Sequence, residues 1–245
     1  MDNLAVVILA AGKGVRMKSE LPKVFHKIGE EPMLSYVLKT VKKLKPQKIL
    51  LVVGYQRKLI MDYYRDWPVE FVIQEEQLGT GHAVMQAEPF LTDFQGTIMV
   101  LAGDVPLISE PTLLQLIEFH LRNQAAVTDL TAELEDAGNY GRVIRKGNGE
   151  ILRIVEKKDA STEELKINEI NTGTFCFEKE ALFSALREVK AENAQKEYYL
   201  TDTIEILRER GCPVFAFRTD NAAEALGINT REELTAIENN LPRGI

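Results

Sequence analysis

Residues 4–17 read LAVVILAAGKGVRM. An unbroken apolar run meets small residues, then two glycines, then the cations Lys13 and Arg16. A strand that is apolar on both faces is one covered by helices on each side, as in a parallel sheet. A glycine-bearing loop at the carboxyl end of such a strand is where open α/β sheets bind ligands. Ala10, Ala11 and Gly12 let a nucleotide approach the backbone, where successive amides cradle phosphate oxygens. Neither common glycine fingerprint is present. No Ser or Thr follows a lysine at the GxxxxGK[ST] spacing, and Met17 follows Arg16 where GxGxxG places its third small residue. An ordinary strand-to-helix turn is the plain alternative.

The same pattern repeats along the chain. AVVIL (5–9), KILLVV (48–53), VEFVI (69–73) and TIMVLAG (97–103) are apolar on both faces and read as central parallel strands. Residues 31–44, 57–67 and 111–123 carry apolar side chains three or four apart and read as helices, the first with Pro32 near its first turn. This alternation predicts an α/β fold with an open, doubly wound sheet. The second half differs: residues 128–134, 141–159 and 170–180 read as strands and a hairpin turning at GNG, and helices resume at 179–189 and 199–211. No linker, internal repeat or low-complexity segment separates the halves.

The chain has 245 residues, is 45% hydrophobic and 27% charged, and carries a formal net charge of −7. That charge argues against nucleic-acid coating. Between Gly12 and Lys27 the sign reverses, with five cations (Lys13, Arg16, Lys18, Lys23, Lys27) against Glu20 alone. A basic loop on an acidic protein suits a small polyanion; a solvated lysine-rich surface is the bland reading. No apolar run approaches the roughly 18–20 residues of a membrane helix, and the first residues have no signal-peptide character. Cys176 and Cys212 suggest neither a disulfide framework nor a CxxC site, so the expectation is a cytoplasmic, reducing setting without membrane or nucleic-acid partners.

LAAGKGVRM followed by LPKVFHKI resembles the LxAGxGxRM…PK signature of sugar-phosphate nucleotidyltransferases. QLGTGHA, GD, NYGR (GYGR in that family), VEKKDA, EINTG, EYYLTD and GIN follow in the family's order. Together they look like the uridylyltransferase half of the bacterial bifunctional N-acetylglucosamine-1-phosphate enzymes, over residues 4 to about 231. The resemblance implies a Rossmann-like, mixed-sheet GT-A-like domain over residues 1–228, with residues 229–245 as a helical tail. The family's hexapeptide-repeat β-helix, with its acetyltransferase and trimer contacts, has no counterpart in the sixteen residues after Asn229. A natural short form and a cut piece both stay open, as does the oligomeric state.

The resemblance also implies roles. Leu9, Ala10, Ala11, Gly12, Gln74, Gly79, Thr80, Ala102, Gly103 and Asp104 would bind the nucleotide. Gln74, whose amide has both a donor and an acceptor, would read uracil with Gly79 and Thr80. Thr80 as a helix N-cap is the structural alternative; His82 lacks partners at ligand spacing and reads as structural. Arg16 and Lys23 would act on the phosphates, Lys23 held by the backbone of Pro22. Asp104 and Asn229 would hold Mg²⁺, a hard cation suited to a carboxylate beside phosphates; an N-cap is the alternative for Asn229. Gly141, Glu156, Asn171, Tyr199, Thr201 and Asn229 would bind the sugar, with Tyr198 nearby and Tyr199 covering an acetamido methyl or packing in the core. The implied reaction joins UTP to N-acetylglucosamine 1-phosphate with loss of pyrophosphate. The rivals are a nicotinamide-linked Rossmann enzyme, a non-catalytic nucleotide sensor, and a sister transferase for another sugar, such as glucose 1-phosphate with UTP or dTTP.

Overall fold

The computed structural model describes residues 3–240. In chain order the elements are β1 (Leu4–Ala10), β2 (Lys27–Ile28), β3 (Glu31–Pro32), α1 (Met33–Lys43), β4 (Lys48–Val53), α2 (Arg57–Tyr64) and β5 (Glu70–Ile73). Then follow α3 (Thr80–Met85), β6 (Thr97–Ala102), α4 (Glu110–Arg122), β7 (Val127–Glu133), β8 (Arg142–Arg145) and β9 (Ile151–Val155). The chain continues through β10 (Glu169–Glu178), α5 (Lys179–Leu186), α6 (Asp202–Glu209), β11 (Val214–Arg218) and α7 (Arg231–Asn240).

One twisted sheet organises the molecule, in the order β11-β7-β10-β6-β1-β4-β5, with β8 and β9 branching from β10. β1 runs parallel to both β4 and β6, and β5 parallel to β4. β10 is antiparallel to β6 and β7, which makes the sheet mixed. Alternate residues of β1 serve opposite cores. Ala5 and Val7 join the cluster that includes Ala83, Leu182 and Ile204; Val6, Ile8 and Ala10 join the one that includes Leu34, Ile60 and Leu113. Two apolar faces on one strand are thereby both removed from water, at about 25 cal/mol per Å² buried.

Local chemistry fixes the helix starts. Ser109 caps α4 by accepting from the Thr112 amide at 3.3 Å. Glu178 caps α5 through the amides of Glu180 and Ala181. Pro32 stands just before α1, so that helix begins at Met33 rather than at residue 31.

Two expectations need correction, and one strand is additional to them. Residues 69–73 do not form a central strand: β5 pairs only with β4, and Glu70 and Ile73 are exposed. Its apolar residues reflect an edge packed on one side. α2 ends at Tyr64, short of 67: the Trp67 amide bonds back to Tyr64 O at 3.0 Å in a turn, and Pro68 follows, which disfavours helix in the residue before it. β11 was not expected; its half-buried residues carry no clear period.

On β7, Asp129 is fully buried among sheet residues with neither carboxylate oxygen hydrogen-bonded. Burial drives its pKa well above the usual carboxylate range, with nearby Glu169 adding to the effect. Among the described residues no helix is long and apolar enough to cross a membrane. α7, the start of the expected tail, packs Leu234 and Ile237 against Ile28, Met33 and Ile228; residues 241–245 of that tail lie outside the described residues.

Candidate active site

The site is assembled at the carboxyl ends of β1 and β6. After β1 the backbone turns through Gly14, at φ +69°, into a 3-10 turn over Val15–Met17 that carries Arg16. A side chain at Gly14 would be strained in φ and would strike Lys23. That crowding seats the segment Pro22–Phe25 directly against the glycine loop. Pro22, extended at φ −55°, opens the second 3-10 turn and aims Lys23 across the cleft.

Four side chains converge there. The Lys23 ammonium forms an ion pair with Asp104 Oδ2 and donates to Asn229 Oδ1 at 2.5 Å. Arg16 donates to the same Asn229 oxygen at 2.7 Å. Asn229 is fixed from behind: its Nδ2 donates to Gly227 O at 2.9 Å, and the adjacent Ile228 amide donates to Asp104 O at 2.9 Å. The N-cap reading of Asn229 therefore gives way. The cap is Thr230, whose hydroxyl accepts from the Glu233 amide while Glu233 accepts from the Thr230 amide.

Two cavities open on either side of this cluster. One, of about 280 Å³, is lined by Leu9, Ala10, Ala11, Gly12, Lys23, Gln74, Gly79, Thr80, Ala102 and Asp104. The other, of about 190 Å³, is lined by Arg16, Gly141, Glu156, Asn171 and Asn229, again with Ala102 and Asp104. Every expected nucleotide residue except Gly103 faces the first cavity. Gly103 lies beneath it, its amide bonded to Leu9 O at 2.9 Å. Of the expected sugar residues, Gly141, Glu156, Asn171 and Asn229 face the second.

Tyr199 and Thr201 do not line either cavity. Tyr199 is buried, its hydroxyl donating to Asp159 Oδ2 at 3.2 Å and accepting from Gln195 at 2.9 Å. Core packing at the chain's approach to α6 is its observed setting. Thr201 stands behind Glu156, donating to Oε1 at 3.3 Å. Burial pushes the Glu156 carboxyl upward in pKa, a shift opposed by the Thr201 hydrogen bond and reinforced by Asp202 and Asp159.

Gln74 is buried at the first cavity. Its Nε2 contacts Gly79 O at 3.2 Å and His82 Nδ1 at 3.0 Å. Both amide protons are thereby engaged, and the carbonyl oxygen remains as its acceptor. His82 thus orients Gln74 rather than serving the packing alone. Thr80 is not an N-cap. Gly79 precedes α3 at φ +110°, and the Thr80 hydroxyl accepts from the Leu200 amide at 3.1 Å.

Sequence reasoning left several lining residues without a role. Gln77 and Glu197 face the first cavity, and Asn139, Tyr140 and Thr172 face the second. The first four lie inside QLGTGHA, EYYLTD and NYGR, so position within a motif was the available signal. Thr172 lies inside EINTG in the same way, at the irregular register between Asn171 and Thr174 on β10.

The oxygens of Asp104 and Asn229 share one ammonium, so a single cation can reach both. That donor pair suits a small divalent ion completed by phosphate oxygens and water. Among the described residues no group of three or more His, Cys, Asp or Glu forms a self-sufficient metal cage.

A sequence model of the family described as nucleotidyl transferase matches residues 5–223. The chain is 49% identical over 243 residues to the bifunctional protein GlmU of Pelotomaculum thermopropionicum, covering 99% of this chain and 53% of that protein. It is 47% identical over 245 residues to the bifunctional protein GlmU of Streptococcus gordonii, covering all of this chain and 53% of that protein. The chain thus spans about half the length of the curated relatives it matches. Among solved structures, UDP-glucose pyrophosphorylase complexed with UDP-glucose superposes with a TM-score of 0.77 at 19% identity, covering 98% of both chains. A putative glucose-1-phosphate thymidylyltransferase from Bacillus anthracis gives 0.74 at 18% identity, covering 99% of this chain and 98% of that one. At these identities the two structures speak to the fold alone.

Proposed function

The chain belongs to the nucleotidyl transferase family, and from that membership we propose that it transfers a uridylyl group from UTP to N-acetylglucosamine 1-phosphate, releasing pyrophosphate. The observation that carries this reading is the partition of one cleft into two cavities that share Ala102 and Asp104, with Lys23 and Arg16 at the junction. Two reactants held on either side of one strip of chain meet where the cations are. The resemblance of the whole chain to the first half of the GlmU proteins supports the choice of substrates.

In this reading a phosphate oxygen of the sugar phosphate attacks the α-phosphorus of UTP. A new P–O bond forms as the bond to the bridging β-oxygen breaks, and its electron pair leaves with pyrophosphate. The nucleophile is already anionic, so no base has to take a proton. The protein's contribution is placement and charge neutralisation. Lys23 steadies the attacking phosphate. Arg16 and the amides of residues 11–14 receive the charge that develops on the leaving group. Gln74 presents its carbonyl oxygen to the uracil N3–H. Gly141, Glu156 and Asn171 hold the sugar, Glu156 accepting from its hydroxyls. Asp104 and Asn229 would hold Mg²⁺, which supplies a positive field shared by the reacting phosphates.

Pyrophosphate release, measured with Mg²⁺ and UTP against each sugar 1-phosphate in turn, tests the proposal. N-acetylglucosamine 1-phosphate should be the preferred acceptor and UTP the preferred donor. Preference for glucose 1-phosphate, or for dTTP, replaces this reading with the sister activity. No release with any pair refutes transfer altogether.

A further inference from the structure

We infer that Arg231 is a positioning residue for the phosphate loop, acting through Arg16; this rests on the uridylyl-transfer reading for its catalytic consequence only. Arg231 does not line either cavity beside Asp104. It is the first residue of α7, and its guanidinium reaches back over 200 residues of sequence. Nε donates to Met17 O at 3.0 Å and a terminal nitrogen donates to Lys18 O at 3.2 Å.

Those carbonyls close the 3-10 turn that carries Arg16. The end of such a turn leaves acceptors without partners inside it. Lys18 follows at φ +47°, a left-handed conformation that a non-glycine residue adopts only when its surroundings impose it. The turn has little packing of its own: Met17 is buried, but Val15 is 77% exposed. A planar fork bonded to two successive carbonyls supplies the missing constraint. The helix start that bears the fork is itself fixed by the reciprocal Thr230–Glu233 cap. Two residues upstream, Asn229 accepts from the tip of Arg16. One short segment thus holds the guanidinium of Arg16 and the backbone of the two residues that follow it. Arg231 is also packed close enough to His26 to lower that imidazole's pKa, burial being the larger cause.

Arg231→Ala and Arg231→Lys, each alone and combined with Arg16→Ala, test the inference in two independent ways. Amide exchange at Met17 and Lys18 should quicken about tenfold in Arg231→Ala, the scale of a lost charge-assisted hydrogen bond, with Arg231→Lys intermediate. Unchanged exchange overturns the inference whether or not the protein turns over. In pyrophosphate release, Arg231→Ala should lower kcat about 10-fold to 100-fold, the cost of slight misplacement, with KM for UTP changing far less. In the Arg16→Ala background the same change should cost less than about twofold, because the group it positions is gone. Equal losses in both backgrounds, or a loss matched by a fall in thermal midpoint, assign Arg231 to general stability instead. A parent protein with no activity defeats the transfer reading, while the exchange experiment still decides what Arg231 holds.

Discussion

Lys23 and Asp104 are ion-paired at the junction of two cavities, with side chains only 16% and 15% exposed. The pair is shielded from water but opens on both chambers. On the proposed reaction, a cation and an anion so placed would take two different phosphate-linked tasks once substrates enter.

Replacing Lys23 by Ala is expected to lower turnover by about 10²-fold to 10³-fold, the usual cost of removing one preorganised electrostatic contact. Asp104→Asn should lose a comparable amount. Both variants should keep the parent's circular dichroism spectrum and cooperative unfolding. Either variant retaining near-parental kcat would remove its residue from the proposed machinery.

His82→Phe deletes the acceptor that fixes one Gln74 amide proton. KM for UTP should rise about 5-fold to 10-fold, matching one lost hydrogen bond, while kcat holds. Preference for UTP over CTP should narrow, since an unpinned amide can turn its donor toward a cytosine acceptor. Competition between the two nucleotides measures this directly; unaltered preference would show that His82 only packs.

Gly79 and Gly12 should behave in opposite ways. At Gly79 the backbone stands at φ +110°, and a Cβ would sit 2.6 Å from Tyr198 O. Gly79→Ala should cost about 2–4 kcal/mol and lower the thermal midpoint by several degrees. At Gly12 nothing lies within 4 Å of an added Cβ. Gly12→Ala should melt like the parent yet raise KM for UTP, because the space it fills borders the nucleotide cavity.

His120 gives the fold an acid limit. Burial pushes its pKa down to about 4 from the ordinary 6.5, and it pairs with Thr128 Oγ1 at 3.0 Å. A base depressed in the folded state stabilises above its unfolded pKa. That contribution, roughly 3 kcal/mol, is lost as pH falls from about 6.5 toward 4. Urea unfolding at pH 7 and pH 4.5 should show a drop that His120→Gln diminishes; equal drops would indicate other groups.

Asp129 predicts the reverse sign. Its raised folded pKa means that stability is lost as pH climbs through the unfolded carboxyl range toward the folded value. Asp129→Val removes a buried polar group that lacks partners and should gain about 1–3 kcal/mol at neutral pH. A lower midpoint for that variant would show that the carboxyl is satisfied in solution.

The parts of the molecule that a sequence displays best are those whose constraint is local. β1, β4 and β6 are legible because burial on both faces leaves an unbroken apolar run. β5 carries a similar composition at an edge, so composition alone misplaces it. The glycine loop, Asp104 and Glu156 stand in short motifs, Gln74 lies just before one, and all converge on one cleft. Arg231 and His82 were not legible in these roles. Their contacts are a backbone carbonyl 214 residues away and an amide whose orientation depends on a neighbouring ring. Tyr199 is the converse case, an aromatic inside a motif that lines neither cavity and whose hydroxyl is held by Asp159 and Gln195.

The strip from Ala102 to Asp104 separates the cleft without closing it, and a nucleotide sugar made by the proposed reaction would have to straddle it. Such a molecule would block newcomers from either side. On the proposed reaction, accumulated product would therefore compete with both reactants at once, and output would throttle its own synthesis.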